Sequence, residues 1–417
     1  MSASVEVTSR GDLTAPTTAS SAAVREWVAA LKYCAAVYLA ARIALVLLGA
    51  AAWGLSGDGE NIGRGGVATM HNGLLNAITG WIKMDSHNFL EIAQHGYQGG
   101  NPTAAFFPGY PALVRAASYL CLGNTAAGAL LVSNAALLAA LVVLYRLTER
   151  EFDLPTARRA VLYLCLFPTA FFLFTVYSES VFLLAAVGAL ALARNRHWAW
   201  AGLVGLAAGL TRSAGVIVGI ALAVEAIHQT VEDRRSSAEG ASWRALAPRA
   251  LGRLIASAGP VAGVGGYLLY WQLRFHDGSY PLRVQQTVWD RQLSLPWATL
   301  WHGMVIAVWR GPLANLGWPI FDFVLVAVGL ALGVWVAVRT RPVYAVYCWG
   351  SILFFLMQGI PGRPLAADPR FLLVIFPIVW ALAWLGKNQR VNDAVVSLSS
   401  ASLAIVGWLF LTTIKVF

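Results

Sequence analysis

One acidic residue stands out in this sequence as a candidate for chemistry. Asp85 lies in the polar segment WIKMDSHNFLEIAQHGYQGGNPTAAFFPGYPAL, which covers residues 81–113 and follows the first apolar stretch. An acid at the start of a helix often caps that helix, but a carboxylate within hydrogen-bond reach of a substrate hydroxyl can also act as a general base. The segment alone leaves both interpretations open.

Further polar residues interrupt the apolar stretches later in the chain. They are Glu179, Arg212, Arg274, Arg283, Gln285, Gln286, Trp289, Arg363, Asp368 and Arg370. A charge at bilayer depth costs about 2.5–3.5 kcal/mol on insertion scales. Several such residues on one side of a membrane therefore predict a polar cavity that opens to that side.

Each of these residues also has a purely structural interpretation. Glu179 and Arg212 could pair with each other across adjacent hairpins. Arg370 could be an anchor that extends to the membrane interface, while Gln286 and Trp289 could belong to an interfacial belt. The Pro-Gly-Tyr-Pro run at 108–111 is predicted only to shape a loop.

The spacing around Asp85 predicts a short helix over residues 86–95, with Asp85 as N-cap and Gly96 just beyond its end. Its apolar face would hold Phe89, Ile92, Ala93 and Gly96, and its polar face would hold His87, Glu91 and His95. Such an amphipathic helix is expected to lie along the membrane surface.

Composition identifies the class of protein that must position these residues. The 417 residues are 58% hydrophobic and only 12% charged, whereas soluble proteins carry about 25% charged residues. This composition predicts an all-α polytopic membrane protein. The net charge of +10 does not predict nucleic-acid binding, because the basic residues mostly occupy short loops, and the four cysteines lie in or beside apolar stretches as small core residues.

Apolar runs predict about eleven transmembrane helices. They cover residues 27–53, 125–147, 160–177, 179–194, 199–213, 214–229, 254–272, 317–338, 343–358, 370–386 and 395–414. Residues 1–24 are predicted to be a disordered cytoplasmic N-terminus, and residues 25–417 a single transmembrane domain. Every loop on the N-terminal side then carries at least two basic residues, as the positive-inside rule expects. Residues 57–124 would form an extracytoplasmic loop that carries amphipathic helices and the catalytic acid.

Motifs in a fixed order along the chain resemble those of the PIG-V family, the GPI mannosyltransferase II family. The first comprises Asp85, Ile92-Ala93, Gly96-Tyr97, Ala105-Phe106-Phe107-Pro108 and Tyr110-Pro111. YSES at 177–180 and TRS at 211–213 resemble the next two, and VQQTVW at 284–289 and PRFLLVIFP at 369–377 resemble later ones. The resemblance covers roughly residues 25–390. This chain has Lys83-Met84 where the family usually has Arg-Trp, and Ala214 where it usually has Asn.

The resemblance implies a GT-C-type glycosyltransferase of the plasma membrane that works in glycolipid biosynthesis. Its donor would be polyprenyl-phosphate mannose, its acceptor a lipid or a glycan, and membrane lipids would surround it. Mannose would be transferred on the extracytoplasmic face with inversion at the sugar. Neither a metal nor a cofactor is expected, and no DxD motif or Gly-rich phosphate loop is present in the sequence.

The family chemistry assigns roles to individual residues. Asp85 would be the general base, and Arg212 and Arg370, with Arg363 next, would bind the lipid phosphate. Glu179 would orient an arginine or bind a sugar hydroxyl. The remaining predicted substrate-binding residues are His87, Gln286, Trp289 and Asp368.

Two other classes of protein fit the same composition. A lipid or glycolipid transporter or flippase also has many spans and buried charge, but it should show an internal repeat and polar residues near mid-membrane. A non-catalytic subunit of a transferase complex would tolerate the loss of Asp85.

Overall fold

The computed structural model describes residues 15–55, 75–236, 242–309 and 318–412, which are mostly helical. The helices are α1 Ala15–Leu55, α2 Asn76–Thr79, α3 Asp85–His95, α4 Gly109–Leu120, α5 Thr125–Glu151, α6 Leu154–Leu166, α7 Glu179–Arg194, α8 Trp198–Thr211, α9 Gly215–Ser236, α10 Trp243–Ser257, α11 Gly259–Phe275, α12 Tyr280–Thr287, α13 Pro296–Trp309, α14 Trp318–Arg339, α15 Pro342–Leu356, α16 Asp368–Phe371, α17 Phe376–Leu385 and α18 Gln389–Thr412. Two short strands, β1 Gln292–Leu293 and β2 Gln358–Gly359, pair antiparallel. The predicted all-α class is confirmed, with this small sheet as an addition.

The described helices include several that can cross a bilayer. Five are long and apolar enough by length and composition: α1 from residue 24, α5, α9, α14 and α18. Two bent pairs, α10 with α11 and residues 368–374 with α17, raise the number to seven if each pair is one span. The predicted multi-pass membrane protein is therefore confirmed, whereas the count of eleven spans stays a prediction.

Proline accounts for two places where the helices differ from the predicted spans. The span predicted over 160–177 is wrong, because α6 ends at Leu166 and a 3₁₀ turn over Ala170–Leu173 follows. Phe167 precedes Pro168 and is therefore steered away from helical backbone angles; its ψ is 143°. The span predicted over 370–386 is broken by 81° ahead of α17, where Ile375 is non-helical and Pro377 lies in the first turn.

The described chain begins within α1. The backbone is helical from Ala15, whereas the boundary predicted from the sequence lies at residue 24 and stays a prediction. Residues 1–14 lie outside the described residues, and so do residues 57–74 of the predicted loop 57–124.

The centre of the molecule is the buried helix α7, which packs between α5 and α8. Helix α8 in turn packs closely on α11, because both surfaces present glycine: a Cβ on Gly209 would lie 2.0 Å from the carbonyl oxygen of Pro260. Helix α7 starts at Glu179, α8 ends at Thr211 and α9 starts at Gly215. Antiparallel neighbours joined by short turns therefore bring these three positions to the same end of the bundle.

The basic loops gather at the opposite end of the bundle. Glu225 is fully buried there and accepts from Arg194 at 3.2 Å and Arg341 at 3.0 Å. Arg194 also pairs with Glu151 at 2.8 Å, which joins α5, α7, α9 and the start of α15. The loops that the charge pattern assigned to one side of the membrane are thus in contact with one another.

Candidate active site

A cleft opens at the end of the bundle where α7 and α9 begin and α8 ends. Its empty volume is about 650 Å³, open solvent included. The side chains of Asp85, Arg212, Trp289 and Arg370 line it. The structure therefore brings together residues that the sequence separates by up to 285 positions.

A chain of ion pairs runs through this cleft. Arg370 donates from Nη1 to Asp85 Oδ2 at 2.7 Å and from Nε to Glu179 Oε1 at 2.5 Å. The same Glu179 oxygen lies 2.8 Å from Nη1 of Arg212. The predicted Glu179–Arg212 pair is thus present, but it is one link in a chain that also holds Asp85.

Burial distinguishes the roles of these four groups. Glu179 is fully buried, whereas the Asp85 side chain is 23% exposed and lines the cleft. The suggestion that Arg370 is an interfacial anchor is wrong, since its side chain is only 10% exposed and its guanidinium lies between two carboxylates. From the interior, Glu179 holds Arg212 and Arg370 in position. The carboxylate of Asp85 is accessible to a ligand in the cleft.

A third arginine completes the cationic wall of the cleft. Arg291 lies 5.2 Å from the ring centre of Phe371, and Arg212 lies 4.9 Å from the same ring. Nη1 of Arg291 donates to Oε1 of Gln358 at 3.1 Å, and no described group accepts from its buried Nε. Burial lowers the pKa of Arg291 to about 10, and the neighbouring charge of Arg370 acts in the same direction. Arg291 therefore still carries its charge at neutral pH.

The short pair of strands explains how Arg291 reaches the cleft. Gln292 pairs with Gly359 and Leu293 with Gln358, which ties the segment after α12 to the end of α15. Arg291 was not among the predicted site residues, because two-residue strands leave no periodic pattern in a sequence. Its place in a polar segment two residues after Trp289 is the one signal that the sequence offers.

Asp85 is held by the turn before it rather than by a capping interaction. The N-cap position is Met84, which has a φ of 56°, and Asp85 is the first residue of α3. Its carboxylate makes the ion pair with Arg370 and no capping hydrogen bond, so the predicted N-cap role is wrong. The predicted helix itself is present, with Gly96 at its end at a φ of 72° and with Phe89 and Ile92 buried.

The preceding residue anchors this turn to the other end of the chain. Lys83 is only 3% exposed, and its Nζ donates to the carbonyl oxygens of Phe410 and Leu411 in α18. Nearby, the hydroxyl of Tyr177 donates to the carbonyl of Lys83 at 3.0 Å. The backbone that presents Asp85 is therefore held by the YSES segment and by the last helix.

The Ala-Phe-Phe-Pro segment forms the opposite wall. The hydroxyl of Tyr97 donates to the carbonyl of Phe106 at 2.6 Å, and that of Tyr267 donates to the carbonyl of Ala104 at 2.8 Å. Phe106 packs edge-on against Trp289 at 5.3 Å between ring centres. The following Pro-Gly-Tyr-Pro run is not a loop as predicted, because α4 starts at Gly109.

Helix geometry separates two neighbouring glutamines. Gln285 lines the cleft and donates to the carbonyl of Ala105 at 3.1 Å, whereas the predicted residue Gln286 is exposed and lies outside it. Pro281, Val284 and Gln285 share one face of α12 by their i, i+3, i+4 spacing, and the first two are buried. That spacing is the signal that identifies Gln285. Trp289 does line the cleft, as predicted.

Three other predicted residues lie away from the cleft. Arg363 pairs with Asp322 of α14 at 2.7 Å and lines a separate small void. Asp368 is buried beside Val326 and Ile352. It lies two residues before Arg370 on the short helix α16, and residues two apart on a helix point to opposite sides. His87 lies on the exposed face of α3. No group of three or more His, Cys, Asp or Glu side chains that could hold a metal lies in the described ranges.

Comparison with known proteins gives this cleft a family context. Residues 61–236 match the family model described as Mannosyltransferase (PIG-V). The predicted resemblance is confirmed over this stretch. It contains Asp85, Glu179 and Arg212, whereas Arg291 and Arg370 lie beyond it.

Relatives of known name are similar over a shorter part. GPI mannosyltransferase 2 of Cryptococcus neoformans, from each of two serotype D strains, is 32% identical over 152 residues, which is 34% of this chain and 36% of that protein. The match thus spans about a third of the length of these curated relatives.

Among solved structures, the oligosaccharyltransferase of Archaeoglobus fulgidus resembles this chain. The form tethered to an acceptor peptide has a TM-score of 0.46 at 13% identity and covers 91% of this chain and 55% of that one. The form with zinc and sulfate has a TM-score of 0.40 at 14% identity and covers 78% of this chain and 48% of that one.

Proposed function

We propose that this protein is a GT-C-type membrane mannosyltransferase of the PIG-V family. In this proposal mannose passes from polyprenyl-phosphate mannose to a lipid-linked or surface acceptor on the extracytoplasmic face of the plasma membrane. One observation carries it: the acid of the first family motif lies in the same cleft as three arginines from later segments. The family match supports mannose as the transferred sugar, and the position of Asp85 beside the arginines supports a general base next to a phosphate-binding site.

The reaction is a single inverting displacement. The acceptor oxygen attacks the anomeric carbon of the mannosyl group, and its proton passes to the carboxylate of Asp85. The bond between that carbon and the phosphate oxygen breaks, and its electron pair remains on the lipid phosphate. A β-linked donor then gives an α-mannoside.

Charge balance in the cleft suits a departing phosphate. Arg212, Arg291 and Arg370 contribute three positive charges, while Asp85 and Glu179 contribute two negative ones, which leaves one net positive charge. Both carboxylates already pair with Arg370. Arg212 and Arg291, which lie 4.9 Å and 5.2 Å from the centre of the Phe371 ring, are therefore the groups best placed for the phosphate oxygens.

Replacement of the proposed base tests the mechanism. Asp85→Asn keeps the size of the side chain and can still accept a hydrogen bond from Arg370, but its amide cannot take up a proton. We expect turnover to fall at least about a hundredfold while donor binding stays near normal. The measurement uses purified protein in lipid with radiolabelled polyprenyl-phosphate mannose.

Two controls accompany this assay. Glu91→Gln changes an acid on the same helix that accepts from Asn101 outside the cleft, and it should retain turnover. GDP-mannose replaces the lipid donor in a parallel reaction. Turnover with GDP-mannose alone would overturn the lipid-donor proposal, and wild-type turnover by Asp85→Asn would remove Asp85 from the chemistry.

A further inference from the structure

A second, separate groove lies between α8 and α10 near the basic end of the bundle. Its volume is about 730 Å³, and its walls are mainly apolar, with Leu203, Leu206 and Ile255 among them. Arg196, Arg249 and Arg253 line the same groove. At about 1.5 Å per residue, the 14 residues of α8 separate this end from the candidate active site by about 20 Å.

Close helix contact forms the floor of this groove. A Cβ on Gly202 would lie 2.7 Å from the carbonyl oxygen of Ala256, and one on Gly259 would lie 2.2 Å from that of Gly202. The helices touch at these glycines, and space remains beside the contact because Gly252 has no atom within 4 Å of the position its Cβ would occupy. Leu203 and Ile255 remain 56% and 65% exposed, so no described part of the chain covers the walls.

The arginines leave a positive charge at one end of this apolar groove. Asp233 accepts from Arg196 at 2.7 Å and from Arg253 at 2.6 Å, which neutralises one of the three positive charges. Arg249 is exposed and has no ion pair or hydrogen bond among the described residues. Two net positive charges, one of them on a side chain without a partner, therefore remain beside the groove.

The neighbouring surface has the character of a membrane interface. Helix α10 carries Trp243, Arg244, Arg249 and Arg253 within 15 residues, and Trp243 is 52% exposed. The guanidinium of Arg234 lies 4.4 Å from the Trp243 ring centre. Tryptophan and arginine together are typical of segments at the headgroup level of a bilayer. The groove thus has its charged end at the headgroup level and its apolar walls beyond it, which matches the arrangement of headgroup and acyl chains in a lipid.

We infer that this groove binds one anionic phospholipid. The phosphodiester group would pair with Arg249 and Arg196, and an acyl chain would lie along Leu203, Leu206 and Ile255. Charge complementarity favours an anionic headgroup over a zwitterionic one, since each arginine near a membrane surface contributes about 1 kcal/mol to binding an anionic lipid.

Native mass spectrometry of the full chain, released from detergent, tests this site. The probes are phosphatidylglycerol and phosphatidylcholine with identical acyl chains. We expect wild-type protein to retain phosphatidylglycerol in preference to phosphatidylcholine. Arg249→Gln should reduce that retention about fivefold, whereas Arg244→Gln on the same helix, outside the groove, should not.

A second pair of variants tests the apolar part independently of charge. Gly252→Leu places a side chain in the groove, where a Cβ meets no atom within 4 Å, and should displace the lipid. Gly265→Leu on α11 has equally open surroundings but lies outside the groove, and it should not. Equal retention of both lipids, equal behaviour of Arg249→Gln and Arg244→Gln, or a dimer of the chain with the groove free of lipid would each overturn the inference.

Discussion

Arg370 is the residue that connects the acid of the first motif to the rest of the cleft. It lies between Asp85 and Glu179, and both carboxylates are within 2.7 Å of its nitrogens. Its replacement by alanine would leave Glu179 buried with Arg212 as its remaining partner. A loss of function in Arg370→Ala would therefore combine a folding defect with a binding defect, because removal of one partner from a buried ion pair is strongly destabilising.

Arg291 offers a cleaner test of the proposed phosphate site. Among the described residues it forms no salt bridge with a carboxylate, and its side chain donates to the neutral Gln358, so Arg291→Ala breaks no direct ion pair. A charged hydrogen bond to the donor is worth about 1.5–3 kcal/mol, so KM for polyprenyl-phosphate mannose should rise at least about tenfold. Steady-state kinetics with varied donor provide the measurement.

The control for this prediction is Arg283→Ala. Arg283 belongs to the same segment, is exposed and pairs with Asp277 away from the cleft. Its replacement should leave KM unchanged. If the two variants have the same KM, Arg291 does not contact the donor.

Lys83 gives the protein a specific dependence of stability on pH. Burial lowers the pKa of Lys83 to about 8 from an ordinary value of 10.5. Between these values the unfolded chain holds a proton that the native chain has released, so the free energy of unfolding should rise with pH across this window. Thermal unfolding at pH 7.5 and pH 9.5 measures the effect in wild type and in Lys83→Met.

We expect the difference in Tm between wild type and Lys83→Met to shift in favour of wild type as the pH rises. Lys32→Met, which removes an exposed lysine from α1, should follow wild type at both values. Parallel Tm changes in wild type and Lys83→Met would contradict the assignment of this pH dependence to Lys83.

At the level of helices, the packing of α8 on α11 sets the position of Arg212 just beyond the end of α8. Gly209→Ala would place a methyl group 2.0 Å from the Pro260 carbonyl oxygen and force the two helices apart. Overpacking of this kind costs about 1–3 kcal/mol. We expect a lower Tm together with lower transferase activity.

Gly265→Ala is the matched variant for this contact. It adds the same methyl group to α11 where no atom lies within 4 Å, and alanine is the better helix former. It should keep or raise Tm and leave activity unchanged. An unaltered Tm in Gly209→Ala would mean that α8 and α11 can separate without cost.

The sequence predicted helices better than it predicted their breaks and their faces. Apolar length alone located α5, α7, α9 and α14 within a few residues, apart from a C-terminal extension of α9, because such runs have few alternatives in a bilayer. It did not predict the bends ahead of α11 and α17, since a proline inside an apolar run is also compatible with a continuous kinked helix.

The same limit applies to the candidate site. Motif order selected Asp85, Glu179, Arg212 and Arg370, which the structure does bring together. A polar segment does not reveal which of its residues face inward, so Arg363 was chosen where Arg291 lines the cleft, and Gln286 where Gln285 does. The position of Arg291 depends on the pairing of β1 with β2, which are far apart in the sequence. The choice between Gln285 and Gln286 depends on which face of α12 is buried, and a shift of one residue changes that face.

For the molecule as a whole, the charge pattern predicts that the cleft faces away from the cytoplasm. A cysteine at exposed Gln98 should react with an impermeant maleimide on intact cells, and one at exposed Arg235 should react only after lysis. The background needs only Cys121→Ser, because Cys34, Cys165 and Cys348 are buried. The reverse labelling pattern would show that the cleft faces the cytoplasm.

The ion pair between Asp85 and Arg370 also determines when the cleft can form during synthesis of the chain. A ribosome delivers the acid early and its cationic partner 285 residues later. During this interval the nascent chain carries Asp85, and later also Glu179, without the side chain that joins them, and it carries Lys83 before its acceptors in α18 exist. The cleft is therefore completed only when the final helices reach the bilayer, and a chain terminated before Arg370 would carry Asp85 without its cationic partner and Lys83 without its acceptors.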